Sequence, residues 1–192
     1  MINKMNSRCA LFVVVMLSGV LAGCGSPQSR SSAAWKQKLH ESVSLYGHRN
    51  WVVVADSAYP AQSRGGIETV LAEAGQIEVV EEVLAAVAAA KHVRPIVYTD
   101  RELSFVREED APGIAVYRQR LETLLKGREV NVMEHEQIIS RLDEAGQTFR
   151  VLIIKTDMTL PYTSVFFQLD CGYWTAEAEK RLRLSMTAPR KE

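Results

Sequence analysis

Short β-branched runs alternate with stretches of helical periodicity, and this alternation limits the fold more than any other feature of the chain. Trp51-Val52-Val53-Val54-Ala55 is an unbroken apolar run of strand length, which predicts a buried strand. Apolar residues at Trp35, Leu39, Val43 and Tyr46 recur at helical spacing, predicting a helix over 34–46 that Gly47 stops. The alanine-rich segment 79–91 reads as a second helix, 94–99 as a strand, and 112–126 as a long helix ended by Gly127. Residues 129–133 alternate as a strand, 135–145 follow as a helix stopped by Gly146, and 149–155 and 163–169 are the last two strands. Pro60, Gly65 and Gly66 mark 60–66 as a loop. Strands interleaved with helices predict a single α/β layered domain whose central, partly parallel sheet is flanked by helices. No internal repeat and no second domain is visible. The segment from Thr175 is charged, and its end is expected to fray.

Composition narrows the function classes. The 192 residues carry 23 Lys and Arg against 23 Asp and Glu. This balance argues against a nucleic-acid partner, which calls for a basic excess. Apolar residues make up 47% of the chain, too many for a disordered protein. Three cysteines are too few for a disulfide scaffold.

The N-terminus reads as an export signal. Lys4 and Arg8 precede an apolar run over 10–21 that is too short to span a bilayer, which takes roughly 20 apolar residues, but suits a signal-peptide core. Leu21-Ala22-Gly23-Cys24 resembles a bacterial lipobox, and the resemblance implies cleavage before Cys24 and acylation of its thiol. The expected layout is a signal peptide over 1–23, a lipidated Cys24 with a flexible tether over 24–34, a domain over 35–185 and a frayed tail over 186–192. Gly25 and Ser26 follow the lipobox without an aspartate. By resemblance to bacterial sorting rules, this implies the cell envelope, anchored in the outer membrane and facing the periplasm. Cleavage would remove Lys4, Arg8 and Cys9, leaving a slightly acidic chain with Cys171 as its one free thiol, expected to be a small buried apolar residue. The other reading of this segment is a single N-terminal transmembrane anchor.

Polar residues cluster where strands meet loops, which is where α/β folds place their sites. Gly47-His48-Arg49-Asn50 precedes the first strand, and Asp56-Ser57-Ala58-Tyr59-Pro60 follows it. His135-Glu136-Gln137 sits at a strand-to-helix junction, and Pro161-Tyr162-Thr163-Ser164 leads into the last strand. Asp56 is the sharpest of these, because a carboxylate directly after a buried run is costly unless it is hydrogen-bonded or used. Taken singly, His48 could cap a helix end, His135 could simply begin its helix, and Tyr162 could be core.

In this order and spacing, the four blocks resemble the RbsD/FucU family of sugar mutarotases, the D-ribose pyranases and L-fucose mutarotases. The stretch Gly47 to Ser63 is similar to the family's opening motif, His135-Glu136-Gln137 to its His-Glu-Gln, and Pro161-Tyr162-Thr163-Ser164 to its Pro-Tyr-Ala-Asn. Ser164 stands where the family carries an amide, Thr156-Asp157 where it carries Thr-Gly-Glu, and Cys171-Gly172-Tyr173-Trp174 where it carries Gly-Val. The resemblance covers roughly residues 39–173. It implies that His48 is the general acid/base, that Asp56, His135 and Ser164 bind the sugar, and that Tyr162 lines the site. Opening a hemiacetal requires a proton delivered to the ring oxygen and another removed from the anomeric hydroxyl, and imidazole can do either near neutral pH. The resemblance also implies a monosaccharide such as ribose or fucose as substrate, no metal or organic cofactor, and a homo-oligomer whose sites are completed by neighbours. No HExxH, CxxC or His-x-His spacing supports a metal site built from His48, Asp56 and His135, and no Gly-x-Ser-x-Gly elbow or phosphate loop is present. Two function classes follow: an exported, lipid-anchored isomerase, or a lipid-anchored sugar-binding or scaffold module of the same fold without catalysis.

Overall fold

The computed structural model describes residues 27–187; the expected signal peptide, Cys24 and the last five residues lie outside them. The strand expected at 51–55 is β1 (Trp51–Ala55), and all of its residues are buried. Such a strand must lie inside a sheet with both faces covered. β1 pairs with β5 (Val151–Lys155) in parallel and with β6 (Val165–Cys171) antiparallel. β2 (Ile67–Leu71) extends the sheet beside β5, and β3 (Val93–Asp100) and β4 (Val130–Met133) extend it beyond β6. The order is β2-β5-β1-β6-β3-β4, and β6 alone runs against the others. The sheet is therefore mixed and largely parallel, so the C-terminal ends of the other five strands and the start of β6 share one edge.

Alternation along β1 divides the core between the two faces. Val52 and Val54 pack with α1 (Pro27–Leu45), α2 (Gln76–Ala89) and α3 (Ile114–Leu125) through Trp35, Leu39, Val83, Val87, Ile114 and Leu121. Trp51, Val53 and Ala55 face the other way, onto Ile138 and Leu142 of α4 (His135–Thr148).

The structure departs from the sequence reading at several points. α1 starts at Pro27 rather than near Ala34, inside the stretch expected to be a tether; proline's fixed φ suits a first helical turn. β2 (Ile67–Leu71) is a strand that the sequence pattern does not announce. It is an edge strand, only partly covered, so it lacks the apolar run that marks β1. Gly146 does not stop α4, which continues to Thr148. A Cβ at Gly146 would lie 2.8 Å from Ile67 Cγ1, so the glycine lets the helix approach β2 closely. The charged segment after Thr175 forms α5 (Ala176–Thr187), which buries none of its residues. Cys171 is partly exposed rather than buried. Among the described residues, no helix is long and apolar enough to cross a membrane.

Candidate active site

The shared edge gathers four of the residues singled out in the sequence. Asp56 follows β1, Ser164 precedes β6, His135 opens α4 just after β4, and Tyr162 lies in the turn before β6. The Ser164 hydroxyl donates to Asp56 Oδ2 (3.1 Å) and accepts from the Asp56 backbone N–H (3.4 Å). Asp56 Oδ1 accepts the Ala58 N–H (3.0 Å), an Asx-type turn that fixes the carboxylate at the strand end. Ser164 itself is buried.

His135 is held from three sides. Its backbone N–H donates to both carboxylate oxygens of Glu102, each at 3.1 Å, so the start of α4 is capped from the short 3-10 turn Arg101–Ser104 rather than from its own N-cap. Its Nδ1 lies 3.1 Å from Asp100 Oδ1. The Tyr162 ring meets the imidazole edge-on, with centroids 5.5 Å apart and planes at 81°, a favourable aromatic geometry. Tyr162 is 39% exposed, so its phenol is open to a ligand. It adopts φ 57°, a left-handed conformation that side chains other than Gly rarely take.

Asp100 and Glu102 join the site only through the fold. Asp100 ends β3, and its side chain is fully buried. Burial pushes its carboxyl up to about 6, with Glu102 and Asp56 adding to the rise and His135 opposing it. Its Oδ2 has no hydrogen-bond partner. The clue available in the sequence was the one applied to Asp56, a carboxylate closing an apolar strand (Ile96-Val97-Tyr98-Thr99-Asp100).

A buried polar scaffold supports this edge. Gln76 of α2 donates to the carbonyls of Val54 (3.1 Å) and Thr163 (2.8 Å) and accepts from the Thr156 hydroxyl (2.5 Å). Tyr117 of α3 donates to the same Thr163 carbonyl (2.6 Å). The end of β1, the end of β5 and the start of β6 are thereby tied to two helices. Tyr59, also buried, has its phenol pushed above the ordinary value by burial and then by Asp143, Asp100 and Asp56.

His48 is elsewhere. It precedes β1 and therefore sits at the opposite edge, across a five-residue strand that spans about 17 Å at 3.3–3.4 Å per residue. It lies in a tight turn closed by the Asn50 N–H to the Gly47 carbonyl (3.3 Å) and the Gly47 N–H to Asn50 Oδ1 (2.9 Å). Arg49 takes φ 74° there, and its N–H donates to the Leu169 carbonyl (2.8 Å). His48 is exposed and close enough to Asp170 to act on it. Burial pushes that carboxyl up, but the hydrogen bond from Arg94, the Cys171 N–H and the charges of Arg94 and His48 outweigh it and hold it below the usual range. Among the described residues, no three His, Cys, Asp or Glu side chains converge as metal ligands do, and His48, Asp56 and His135 are not brought together.

A mixed α/β domain with a carboxylate, a hydroxyl, an imidazole and a phenol at one sheet edge has the polar groups of a small-molecule site. The sequence matches the model of the RbsD / FucU transport protein family over residues 31–172, and the chain belongs to that family. Among solved structures, Bacillus subtilis RbsD, complexed with D-ribose, aligns at 17% identity and TM-score 0.48, covering 81% of this chain and 98% of that one. The fucose mutarotase from Streptococcus pneumoniae, complexed with L-fucose, aligns at 19% identity and TM-score 0.47, covering 69% of this chain and 91% of that one. FucU from Bifidobacterium longum aligns at 16% identity and TM-score 0.47, covering 69% of this chain and 92% of that one. No curated protein matches the sequence.

Proposed function

We propose that this protein is a monosaccharide mutarotase or pyranase, exchanging anomers or ring forms by acid/base catalysis. The observation that carries the reading is that two polar pairs, Asp56 with Ser164 and His135 with Tyr162, stand on the same sheet edge in a member of this family. The chemistry is consistent with these types: Asp56 accepts from sugar hydroxyls, the Tyr162 phenol donates and its ring covers a C–H face, and imidazole moves protons near neutral pH. His48 cannot reach the same sugar from its own chain. The working site is therefore assembled between two copies, with His48 of the partner subunit supplying the second proton-transfer group. The protein acts as a homo-oligomer, exported and tethered through acyl chains on Cys24 to the outer membrane, on the periplasmic side.

Saturation-transfer NMR on D-ribose, L-fucose and D-galactose tests the activity. Accelerated anomeric or pyranose–furanose exchange of at least one sugar is expected, and unaltered exchange for all three sinks the isomerase reading. Labelled palmitate incorporation that is lost in Cys24→Ser tests the anchor.

A second reading has one observation in its favour. Ser164, at the position where the family resemblance implies an amide, is buried and spends its one O–H donor on Asp56, so it has no donor left for a ligand. On that reading the protein binds a sugar, or serves as a scaffold, without catalysis, and binding without exchange is the result that distinguishes it.

A further inference from the structure

Asp100 is the most costly side chain at the site edge. It is a fully buried carboxylate with one oxygen 3.1 Å from His135 Nδ1 and the other unpartnered. Buried carboxylates in a purely structural role collect several donors, because each unsatisfied oxygen costs folding free energy. This one meets a single polar partner among the described residues, the His135 ring nitrogen, and that partner belongs to the site.

The imidazole it touches is fixed in orientation. The Tyr162 ring lies edge-on to it, and the His135 backbone N–H is pinned by Glu102. With Nδ1 turned to the buried Asp100, Nε2 makes no hydrogen bond to the described residues, and the side chain is 30% exposed. A carboxylate on Nδ1 places the proton there and leaves a lone pair on Nε2.

We propose that Asp100 is a positioning residue that makes His135 a proton-transfer group, beyond the sugar-binding role that family resemblance assigns to it. The step rests on the mutarotase reading. His135 Nε2 takes the proton of the anomeric hydroxyl, and that oxygen forms a carbonyl with C1. The bond from C1 to the ring oxygen breaks, and its electron pair goes to the ring oxygen, which takes a proton from His48 of the partner subunit. Reclosure on either face of C1, or through another hydroxyl, returns both protons, so nothing is consumed. Asp100 accepts the Nδ1–H throughout and stabilises the imidazolium that forms. The other groups acting on Asp100 are Glu102 from the 3-10 turn and Asp56 after β1, and Asp100 in turn raises the phenols of Tyr59 and of Tyr117 from α3.

The experiment has two readouts on the full chain. Nitrogen-15 NMR of the His135 ring at pH 7 to 8, without sugar, is expected to show the Nδ1–H tautomer in the wild type and a mixture in Asp100→Ala. An Nε2–H tautomer in the wild type overturns the proposal, whether or not any sugar is turned over. Saturation transfer with whichever of D-ribose, L-fucose and D-galactose the wild type exchanges is the second. Asp100→Asn is expected to lower the exchange rate at saturating sugar by on the order of 100-fold or more, while sugar affinity changes by less than about threefold. Asp100→Glu, which keeps the charge, is expected to recover part of the rate. Equal losses in affinity and rate, or an unchanged rate, refute the role. If Asp100→Asn does not fold, Asp100→Glu and the wild-type tautomer decide it. Failure of the mutarotase reading would appear separately, as no exchange with any sugar by a protein that still holds the Nδ1–H tautomer.

Discussion

Gln76 carries a prediction whose size follows from the geometry. It is 1% exposed and makes three hydrogen bonds, to Val54, Thr163 and Thr156. Gln76→Leu keeps most of the volume, so the cavity contribution is small and the loss is in hydrogen bonding. At about 1 kcal/mol net per bond, the ceiling is roughly 3 kcal/mol. Two of the three partners have an alternative. The Thr163 carbonyl keeps the Tyr117 hydroxyl (2.6 Å), and the Thr156 hydroxyl can turn fully to the Ala55 carbonyl (3.1 Å). The expected cost is therefore about 2 kcal/mol, and Tyr117→Phe alone should cost about 1 kcal/mol. The double variant removes both side-chain donors to the Thr163 carbonyl, so its cost should exceed the sum of the singles by about 1 kcal/mol, a coupling typical of a shared network. Urea unfolding with a constant m-value measures all four corners of the cycle. Strict additivity, or a cost below 0.5 kcal/mol for Gln76→Leu, roughly the size of a neutral surface change, would refute the view that this network holds the site edge together.

Three further outcomes are expected. Asp100 holds its proton more tightly folded, at about 6, than unfolded, near 3.8, so its stabilising contribution is complete below pH 4 and is lost as the pH rises through 6. At about 1.4 kcal/mol per tenfold change, Asp100→Asn should gain up to about 3 kcal/mol on the wild type between pH 4 and pH 7. Unfolding curves at both pH values check this, and a difference that does not change with pH refutes it. Gly66→Ala should destabilise by about 2 kcal/mol or more by thermal or urea unfolding, because its Cβ would run into the backbone carbonyl oxygens of Gly146 and Phe149; wild-type stability in this variant would contradict the close approach. Mixed, refolded His48→Ala and Asp56→Ala chains should recover part of the exchange activity that each lacks alone, and no recovery in verified mixed oligomers speaks against a site shared between copies.

What could be read in the sequence is what local pattern determines. β1 announces itself because both of its faces are buried and every residue is apolar. β2, Ile67-Glu68-Thr69-Val70-Leu71, does not, because an edge strand is half wet and its identity comes from pairing with β5 across about 80 residues of chain. Gly146 reads as a helix stop by local rules, and only the contact with Ile67 shows why a glycine stands inside a helix. Asp56, His135, Tyr162 and Ser164 were legible as strand-end residues. Their order along the chain carries no distance, and only the fold shows that His48 stands an extended strand away from the others within one chain. Asp100 also ends an apolar strand, but its partner His135 becomes a neighbour only through the parallel pairing of β3 and β4.

Among the described residues, the left-handed non-glycine residues and a fully buried carboxylate oxygen without a partner fall on the two edges proposed to meet. Among the described residues, the non-glycine residues with positive φ are Arg49, next to His48, and Tyr162, beside His135. The carboxylate whose replacement should stabilise the protein at neutral pH is Asp100, in contact with His135. Such features cost folding free energy and persist where the surrounding structure enforces them, most often at sites of function. At the start of β6, enforcement is visible: Gln76 and Tyr117 both clamp the Thr163 carbonyl, leaving Tyr162 to turn outward over the imidazole. At the start of β1, the Asn50 side chain and the Leu169 carbonyl clamp the turn that presents His48. A scaffold module has no use for a buried, singly bonded carboxylate that weakens it at neutral pH. In a working isomerase Asp100→Asn therefore gains stability at neutral pH and loses the exchange that the wild type shows; an inert relative shows the same gain in stability with no exchange in the wild type, so the wild-type rate and its loss, read beside the stability gain, separate the two.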